Sequence, residues 1–336
     1  MPSLKAYEAL KSKGLSMDGE SERYNKNDTL ASPDDLSSLF ETLSKFTDKN
    51  GRHPVFTAVS LTANPDFERI KEGKFEQYYY EPFNETLRRY GLSDAFMLWK
   101  QGIQERLFVP QFHGREHLNV AAWMRALRQN DRETRLAFDY GFWGFNNRHQ
   151  YGVSYQAAFD LETMADLETH REAITTGLEL FEKLHGYKAE FFVPPNGPIN
   201  NSLEKLADDY GVRFMSTSKI QREALGGGRT GRRFHWLGQQ NKNGQRYLTR
   251  NCFFEPGDGR KDWVDSCLSE IQIAFKWKKP AVISSHRVNY IGRLSPQNKA
   301  RGLMQLEALL RNVVKNWTDI EFMTSSELGC LITSGN

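Results

Sequence analysis

The sequence predicts an α/β protein built on a parallel β-sheet. Helical and extended stretches alternate along most of the 336 residues, and the extended stretches are short and apolar. Repeated βα units of this kind place their strands side by side in a parallel sheet. Their number favours a closed or nearly closed barrel over a small open sheet. The length fits one domain with insertions or two domains.

The elements of the first half begin with a well-marked helix. Ser32-Pro33-Asp34-Asp35 combines an N-cap, a first-turn proline and acidic residues, and apolar residues follow at helical spacing up to a turn at residues 49–51. A strand is predicted from Pro54. The next predicted elements are a helical tract at about 65–90, a helix at 95–106, a short apolar strand at 107–112, a helix from about Glu116 and a strand at 153–160.

The second half continues the same alternation, with one interruption. Predicted helices cover about 174–185, closed by Gly186, and then 202–210, 262–278 and 296–317. Predicted strands cover 189–193, 212–218, 280–286 and 319–325. Residues 225–260 contain three consecutive glycines and many Arg, Gln and Asn residues, which predicts a surface excursion or hairpin.

Composition excludes several classes of function. The 45 basic and 42 acidic residues nearly cancel, and neither sign forms a long block, so nucleic acid is not an expected partner. The sequence has neither a run of 18 apolar residues nor a hydrophobic leader, so we expect no membrane span and no secretory signal. Three cysteines without a C-x-x-C pair indicate reduced thiols in a cytoplasmic protein. The oligomeric state is left open.

Four predicted strands end in polar or rigid residues. These are His113, Asp160, the loop 194–197 and His286. Because the carboxyl ends of parallel strands meet at one face of a barrel, all four are expected around a common mouth. Each also has a simpler explanation: Asp160 could cap a helix, the loop could be only a stiff turn, and His286 could be a core or capping histidine.

The pair His113-x-x-x-His117 is the strongest candidate for a metal site. Residues at i and i+4 project from one side of a helical turn, so both imidazoles could reach one ion at roughly 2.0–2.1 Å if the metal is zinc. Among eight histidines such a pair can also arise by chance, as two solvated rings at a helix start. The spacing alone leaves both interpretations open.

Taken in order, four stretches resemble a known family. They are "QFHGREHLN", "VPPNG", Asp262-Trp263 and "ISSHRVNYIG", and they look like the second to fifth motifs of the polysaccharide deacetylases, carbohydrate esterase family 4. The resemblance covers about residues 1–325 and is closest to a bacterial branch of that family. It implies one domain over residues 1–336, a distorted (β/α) barrel of the glycoside hydrolase/deacetylase type, that removes acetyl groups from N-acetylated sugars with a divalent metal.

The resemblance also implies roles for individual residues. His113 and His117 would bind the metal, expected to be zinc, and His286 would be the general acid that protonates the leaving amine. The substrate would be an N-acetylated sugar or oligosaccharide. Residues implied to line or orient the substrate groove are Asp160, Pro195, Asn196, Trp263 and Arg287.

The sequence departs from the family pattern at two places. Val193 stands where the third motif normally begins with an arginine. The first motif, an Asp-Asp pair that ends the first strand, is missing, so we expect an incomplete barrel without its first strand, its catalytic base and its third metal ligand. Asp34-Asp35 does not replace that pair, because its setting marks a helix start.

Three functions therefore compete. The first is a deacetylase-like hydrolase of C–N amide bonds in sugars, whose activity the missing first motif would weaken or abolish. The second is a non-catalytic carbohydrate-binding protein of the same fold. The third is a related-barrel glycoside hydrolase, which needs two carboxylates flanking the groove, with Asp160 and Glu116 as the nearby candidates.

Overall fold

The computed structural model describes residues 4–17, 20–147 and 151–335. The helices are α1 (Leu4–Ser12), α2 (Glu20–Asn27), α3 (Pro33–Ser44), α4 (Phe67–Glu72), α5 (Phe83–Arg89), α6 (Ser93–Gln104), α7 (Val120–Arg128), α8 (Arg132–Asp139), α9 (Leu167–His185), α10 (Leu203–Asp209), α11 (Trp263–Lys276), α12 (Pro296–Asn316) and α13 (Ser325–Ser334). The strands are β1 (Phe56–Ser60), β2 (Ala63–Pro65), β3 (Tyr80–Pro82), β4 (Phe108–Phe112), β5 (Phe191–Phe192), β6 (Phe214–Met215), β7 (Ile220–Ala224), β8 (Thr230–Phe234), β9 (Arg246–Tyr247), β10 (Cys252–Phe253) and β11 (Ile283–Ser284).

The main sheet has five strands in the order β1-β4-β5-β6-β9. The pairs β4–β5, β5–β6 and β6–β9 are parallel, and so is the separate pair β10–β11. The pairs β2–β3 and β7–β8 are antiparallel. The predicted α/β class with a parallel sheet is confirmed, but the strands of the described ranges do not close into a barrel.

The chain forms two compact units, each assembled from three separated segments. The first comprises Met1–Asn25, Val59–Arg89 and Pro110–Leu248, and the second comprises Lys26–Ala58, Tyr90–Val109 and Thr249–Asn336. A single domain over residues 1–336 stays a prediction. No helix in the described part of the chain is both long and apolar enough to cross a membrane.

The first unit contains two apolar clusters. One surrounds Trp123, which is fully buried and meets the ring of Phe67 edge-on at 5.8 Å between centroids. The other packs α9 and α10 against β4 and β5, where the Phe112 and Phe192 rings lie 5.0 Å apart. Burying these rings removes large apolar surfaces from water and fixes the ends of both strands. The loops after β4 and β5 therefore start from rigid positions.

The second unit is held by close helix packing. The helix α6 approaches α3 at Gly102, where an added Cβ would lie 2.7 Å from the Phe40 ring. The helix α12 approaches the backbone of Asn289 at Gly302, where an added Cβ would lie 1.8 Å from the Asn289 carbonyl oxygen. Both positions require glycine because any side chain would overlap a neighbour.

Helices with strong local caps lie close to their predicted positions. Ser32 and Asp35 form a reciprocal capping box at the start of α3, so Asp34-Asp35 is a helix start as expected. Gly186 ends α9 in the left-handed conformation with φ 81°. Asp262 caps α11 through the backbone N–H of Asp265.

The predicted helical tract at 65–90 is wrong. It is divided into α4 and α5 by β3, which pairs with β2 on the other side of α4. Lys74 and Phe75 have φ values of 52° and 66°, which a helix cannot contain. Pro82 has no N–H to donate within a helix and marks the end of β3.

Two predicted strands, at 153–160 and 319–325, are also absent. Side chains occupy the backbone groups that a strand partner would use. The Asn119 amide donates to the carbonyls of Ala157 at 3.0 Å and Asp160 at 2.7 Å. In the second stretch the Phe322 N–H donates to the Asp48 carboxylate at 2.8 Å, and the unpredicted α13 follows. Within residues 225–260, β8 belongs to a hairpin, whereas β9 joins the main sheet and β10 pairs with β11.

Candidate functional site

His113 and His117 lie on an irregular loop between β4 and α7. The predicted helix start near Glu116 is wrong, because α7 begins at Val120 after the N-cap Asn119. Gly114, with φ 116°, turns the chain directly after the strand. The loop nevertheless brings the two imidazole rings to 5.2 Å between centroids. Tertiary structure, not helical spacing, therefore pairs these histidines.

The orientation of His113 is set by two backbone carbonyls. Its backbone N–H donates to the Ser60 carbonyl at 3.0 Å, and its ring Nδ1–H donates to the Val193 carbonyl at 2.6 Å. Because a carbonyl can only accept, the ring proton is on Nδ1, and in the neutral ring the lone pair is on Nε2. Metal-binding histidines commonly have their other ring nitrogen held in this way.

The loop 193–197 lies directly beside the histidine pair. The Gly197 N–H donates to the Pro194 carbonyl at 3.1 Å, closing a tight turn in which Asn196 has φ 54°. Asn tolerates this left-handed conformation better than most residues. A Cβ built on Gly114 would lie 3.5 Å from Pro195 Cγ. Pro195 is thus next to the His113 loop, and a site shared by these residues stays a prediction.

Asp160 belongs to the same part of the first unit but is largely buried. It is 8% exposed, and burial raises the pKa of its carboxyl group. It does not cap a helix, because the following helical turn starts only at Met164. The preceding ring of Phe159 would lie 3.5 Å from a Cβ built on Gly114. Asp160 is therefore a neighbour of the histidine loop with limited access to solvent.

Glu116 is unsuitable as a groove carboxylate. Its side chain is 2% exposed and accepts a hydrogen bond from Arg115 at 2.6 Å. The Tyr78 hydroxyl donates to the same carboxylate at 2.9 Å, and the Arg115 guanidinium lies 4.2 Å from the Tyr80 ring centroid. Burial raises the pKa of Glu116, and the Arg115 charge opposes that rise. Glu116 is thus committed to a buried ion pair within the loop. It cannot be one of the two carboxylates that a glycoside hydrolase needs beside the sugar.

In the second unit, His286 is paired with Glu255. His286 Nδ1 lies 2.6 Å from Glu255 Oε1, and the His286 backbone N–H donates to the same oxygen at 3.1 Å. The Asn289 amide donates to the other carboxylate oxygen at 3.0 Å. The His286 side chain is 50% exposed, so a carboxylate is fixed behind a ring that reaches solvent.

The backbone around His286 is rigidly supported. The close approach of α12 at Gly302 fixes the Asn289 carbonyl, and the Asn298 amide donates to the Val288 carbonyl at 2.6 Å. The Gly257 N–H donates to the Asn289 side chain at 2.9 Å. The Glu255 loop and the His286 turn are therefore connected by several hydrogen bonds.

Trp263 and Arg287, both predicted to contact substrate, have partners within the second unit. The Trp263 indole N–H donates to Asp258 at 2.7 Å, and the Asp258 backbone N–H donates to the Glu255 carbonyl at 3.0 Å. Trp263 therefore supports the loop that carries Glu255. Arg287 donates two hydrogen bonds to the Asp28 carboxylate, at 3.0 and 2.7 Å.

Sequence reasoning missed Glu255. It stands 31 positions before His286, so only the folded chain reveals the pair. The available signal was positional, because Glu255 follows the apolar stretch 252–254 and precedes a Pro-Gly turn, as the recognised candidates follow other extended stretches.

The two imidazoles of His113 and His117 fit two ligands of a divalent metal. Imidazole nitrogens are common zinc ligands, and the carbonyl bond to His113 is the support that such a ligand needs. Within residues 4–17, 20–147 and 151–335, no group of three or more His, Cys, Asp or Glu side chains could hold a metal ion. The histidine loop therefore supplies only two of the side-chain ligands that a metal site needs.

The predicted site residues divide between the two units. His113, His117, Asp160, Pro195 and Asn196 belong to the first, and Trp263, His286 and Arg287 belong to the second. Within each unit the residues are grouped by the contacts described above. A common mouth for all of them stays a prediction.

Comparisons with known proteins identify no family for this chain. No family profile matches the sequence, and no curated protein matches it. Among solved structures, a protein assigned as a polysaccharide deacetylase from Mycobacterium smegmatis is similar with 12% identity and a TM-score of 0.46, over 98% of this chain and 84% of that one. An α-amylase from Thermotoga maritima is similar with 8% identity and a TM-score of 0.41, over 87% of this chain and 60% of that one. A GH57-type branching enzyme from Pyrococcus horikoshii is similar with 12% identity and a TM-score of 0.39, over 96% of this chain and 62% of that one.

Proposed function

We propose that the protein is a metal-dependent hydrolase that removes acetyl groups from N-acetylated sugars by cleaving a C–N amide bond. The observation that carries this proposal is the His113 loop, which brings two imidazoles to 5.2 Å and directs the Nδ1–H of one of them to a backbone carbonyl. The motif order in the sequence supports the same activity. The ligand chemistry favours zinc among the divalent metals.

His113 and His117 would hold the metal. When bound, a divalent metal supplies polarisation of the amide carbonyl and a lowered pKa for bound water. The carbonyl partner of His113 keeps its ring in the coordinating tautomer and orientation. The loop 193–197 holds Pro195 and Asn196 beside these rings, where they can contact the sugar.

His286 would protonate the departing amine. An amine leaves as a neutral molecule only if its nitrogen receives a proton as the C–N bond breaks. With Nδ1–H donated to Glu255, the second ring nitrogen of the imidazolium carries the proton that is transferred. Glu255 is a positioning residue in this scheme, because it holds the ring at Nδ1.

The test is acetate release from N-acetylated chitooligosaccharides with added zinc or cobalt. We expect slow release by the wild-type protein, because the first motif with its catalytic base and third metal ligand is missing, and much slower release by His286→Ala. The control is His53→Ala, which removes a histidine bonded to the Phe46 carbonyl at 2.7 Å. No acetate release with either metal would overturn the proposal, and retained chitooligosaccharide binding in that case would favour a non-catalytic carbohydrate-binding protein.

A further inference from the structure

The hairpin β7–β8 exposes one face that the proposed function does not use. Residues alternate between the two faces of a strand, and the register pairs Ile220 with Phe234 and Arg222 with Arg232. Ile220 and Phe234 are 55% and 65% exposed, and Trp236, two residues further on, is 63% exposed. We call this set of five residues the hairpin face.

The opposite face anchors the hairpin. The buried His235 ring lies tilted against the Tyr247 ring at 3.9 Å between centroids and 2.6 Å from the Gln221 side chain. Glu223 accepts a hydrogen bond from Arg233 at 2.8 Å, and the Asn200 amide donates to the Ala224 carbonyl at 2.7 Å. Because one face is fixed by these contacts, the other is held towards solvent.

Two like charges stand opposite one another on the hairpin face. Directly paired residues of antiparallel strands have Cβ atoms roughly 4.5–5.5 Å apart, and like charges there destabilise the pair. In the part of the chain that the structure describes, neither the Arg222 nor the Arg232 guanidinium has a hydrogen bond or an ion pair within 4 Å. An anionic ligand would relieve this repulsion.

The charge of the segment around the hairpin also favours an anionic ligand. Residues 219–246 contain seven basic residues and one acidic residue, Glu223, whereas the formal net charge of the whole chain is +3. The remainder of the chain is therefore net acidic. A compact basic segment in such a chain selects for a negatively charged partner.

The hairpin adjoins residues predicted to bind substrate. β7 bridges to Ile199 through Glu223, and Ile199 comes two residues after the loop 193–197. Burial raises the pKa of Asp160, and the charge of Arg222 partly opposes that rise, so Arg222 is within electrostatic reach of Asp160. The hairpin therefore lies next to the segment that follows the loop 193–197.

We propose that the hairpin face binds an anionic polysaccharide whose sugars carry carboxylates, as in a uronic-acid chain. The planar guanidinium forks of Arg222 and Arg232 match carboxylates, and the exposed rings of Phe234 and Trp236 offer flat apolar surfaces to sugar rings. This inference rests on the proposed function and names its substrate class: an N-acetylated glycan that also bears uronate units.

Calorimetric binding of hexagalacturonate to the full chain tests the inference. We expect binding that weakens with added salt, and a loss of about tenfold or more in affinity for the double variant Arg222→Ser/Arg232→Ser and for Trp236→Ala. Matched controls are Arg132→Ser and Trp277→Ala, which alter an exposed arginine and a 73% exposed tryptophan elsewhere. The double variant should keep or raise the melting temperature, because it removes like-charge repulsion.

Several outcomes would overturn the inference: no hexagalacturonate binding, equal binding of neutral chitohexaose, equal losses in the control variants, or tighter binding of a single-stranded hexanucleotide. Acetate release from neutral chitooligosaccharides is measured separately. Acetate release without hexagalacturonate binding refutes only this inference, and binding without acetate release refutes only the proposed deacetylase activity.

Discussion

His113 and His286 differ in the partner that holds the ring. Nδ1 of His113 faces a neutral backbone carbonyl at 2.6 Å, whereas Nδ1 of His286 faces a carboxylate at the same distance. A carbonyl fixes the tautomer of a neutral imidazole, which suits a metal ligand. A carboxylate also stabilises the imidazolium, which suits a proton donor. The partner of each ring, more than the histidine itself, therefore indicates the role to which the ring is suited.

Removing the proton donor is expected to have the largest effect on catalysis. His286→Ala should lower kcat for acetate release by about 10²–10⁴-fold, the usual contribution of general acid catalysis. Single-turnover kinetics at saturating substrate would measure it. A kcat within a factor of two of wild type would show that His286 is not the proton donor.

The next effect comes from the carboxylate behind His286. Glu255→Gln should lower kcat by about 10–100-fold with a smaller change in KM, because the ring loses its charged partner but keeps its place. Glu255→Asp should recover part of the lost rate. Equal losses in kcat for both variants, together with a lowered melting temperature, would indicate a structural role instead.

A third prediction uses His170, a histidine without either kind of partner. It is 1% exposed, neither ring nitrogen has a hydrogen-bond partner among the residues that the structure describes, and burial lowers its pKa from 6.5 to about 4. Between those values the unfolded chain binds a proton that the folded chain excludes, so stability is full above about pH 6.5 and falls as the pH drops towards 4. The share of His170 should be about 2 kcal/mol between pH 7 and 5.

Denaturant unfolding of wild type and His170→Leu at pH 7 and pH 5 would measure that share. The variant should lose less stability on acidification, by about 2 kcal/mol. An identical pH dependence in both proteins would show that His170 is protonated, or solvated, in the folded state. His53→Ala, at a half-buried histidine bonded to a carbonyl, serves as the reference.

An effect of similar size concerns the loop that follows the histidine pair. Asn119→Ala removes the N-cap of α7 and two side-chain bonds to residues 157–160, and should cost about 1–3 kcal/mol of unfolding free energy. Thermal denaturation would measure this. A loss much smaller than 1 kcal/mol would mean that the loop is held by its apolar contacts alone.

The sequence predicted those parts of the fold that depend on local interactions. The capping box at Ser32 and the left-handed Gly186 act within one helical turn, so α3 lies close to its predicted position and α9 ends where predicted, although it begins at Leu167. The bounds of the strands were harder to predict from the sequence, since β5, β6 and β11 are two residues long and are defined by distant partners. The apolar stretch 153–160 failed because its carbonyls bind the Asn119 amide, which no local pattern reveals.

The same distinction applies to the site. His113 and His286 were recognised because each follows an apolar stretch, a feature of the sequence alone. Their different partners, Val193 and Glu255, are 80 and 31 positions away in sequence and become visible only in the folded chain. The i, i+4 reasoning assumed a helical turn, whereas the two rings come together on a loop without one, because α7 begins only at Val120.

The metal content of purified variants tests directly whether His113 and His117 bind the metal and His286 does not. It is measured by mass spectrometry after equilibration with zinc. We predict that His113→Ala and His117→Ala lose bound zinc, whereas His286→Ala keeps the wild-type stoichiometry. His53→Ala, the matched control, should also keep it. Equal zinc loss in all the histidine variants, or full zinc retention in His113→Ala, would contradict the division of roles between the two histidine environments.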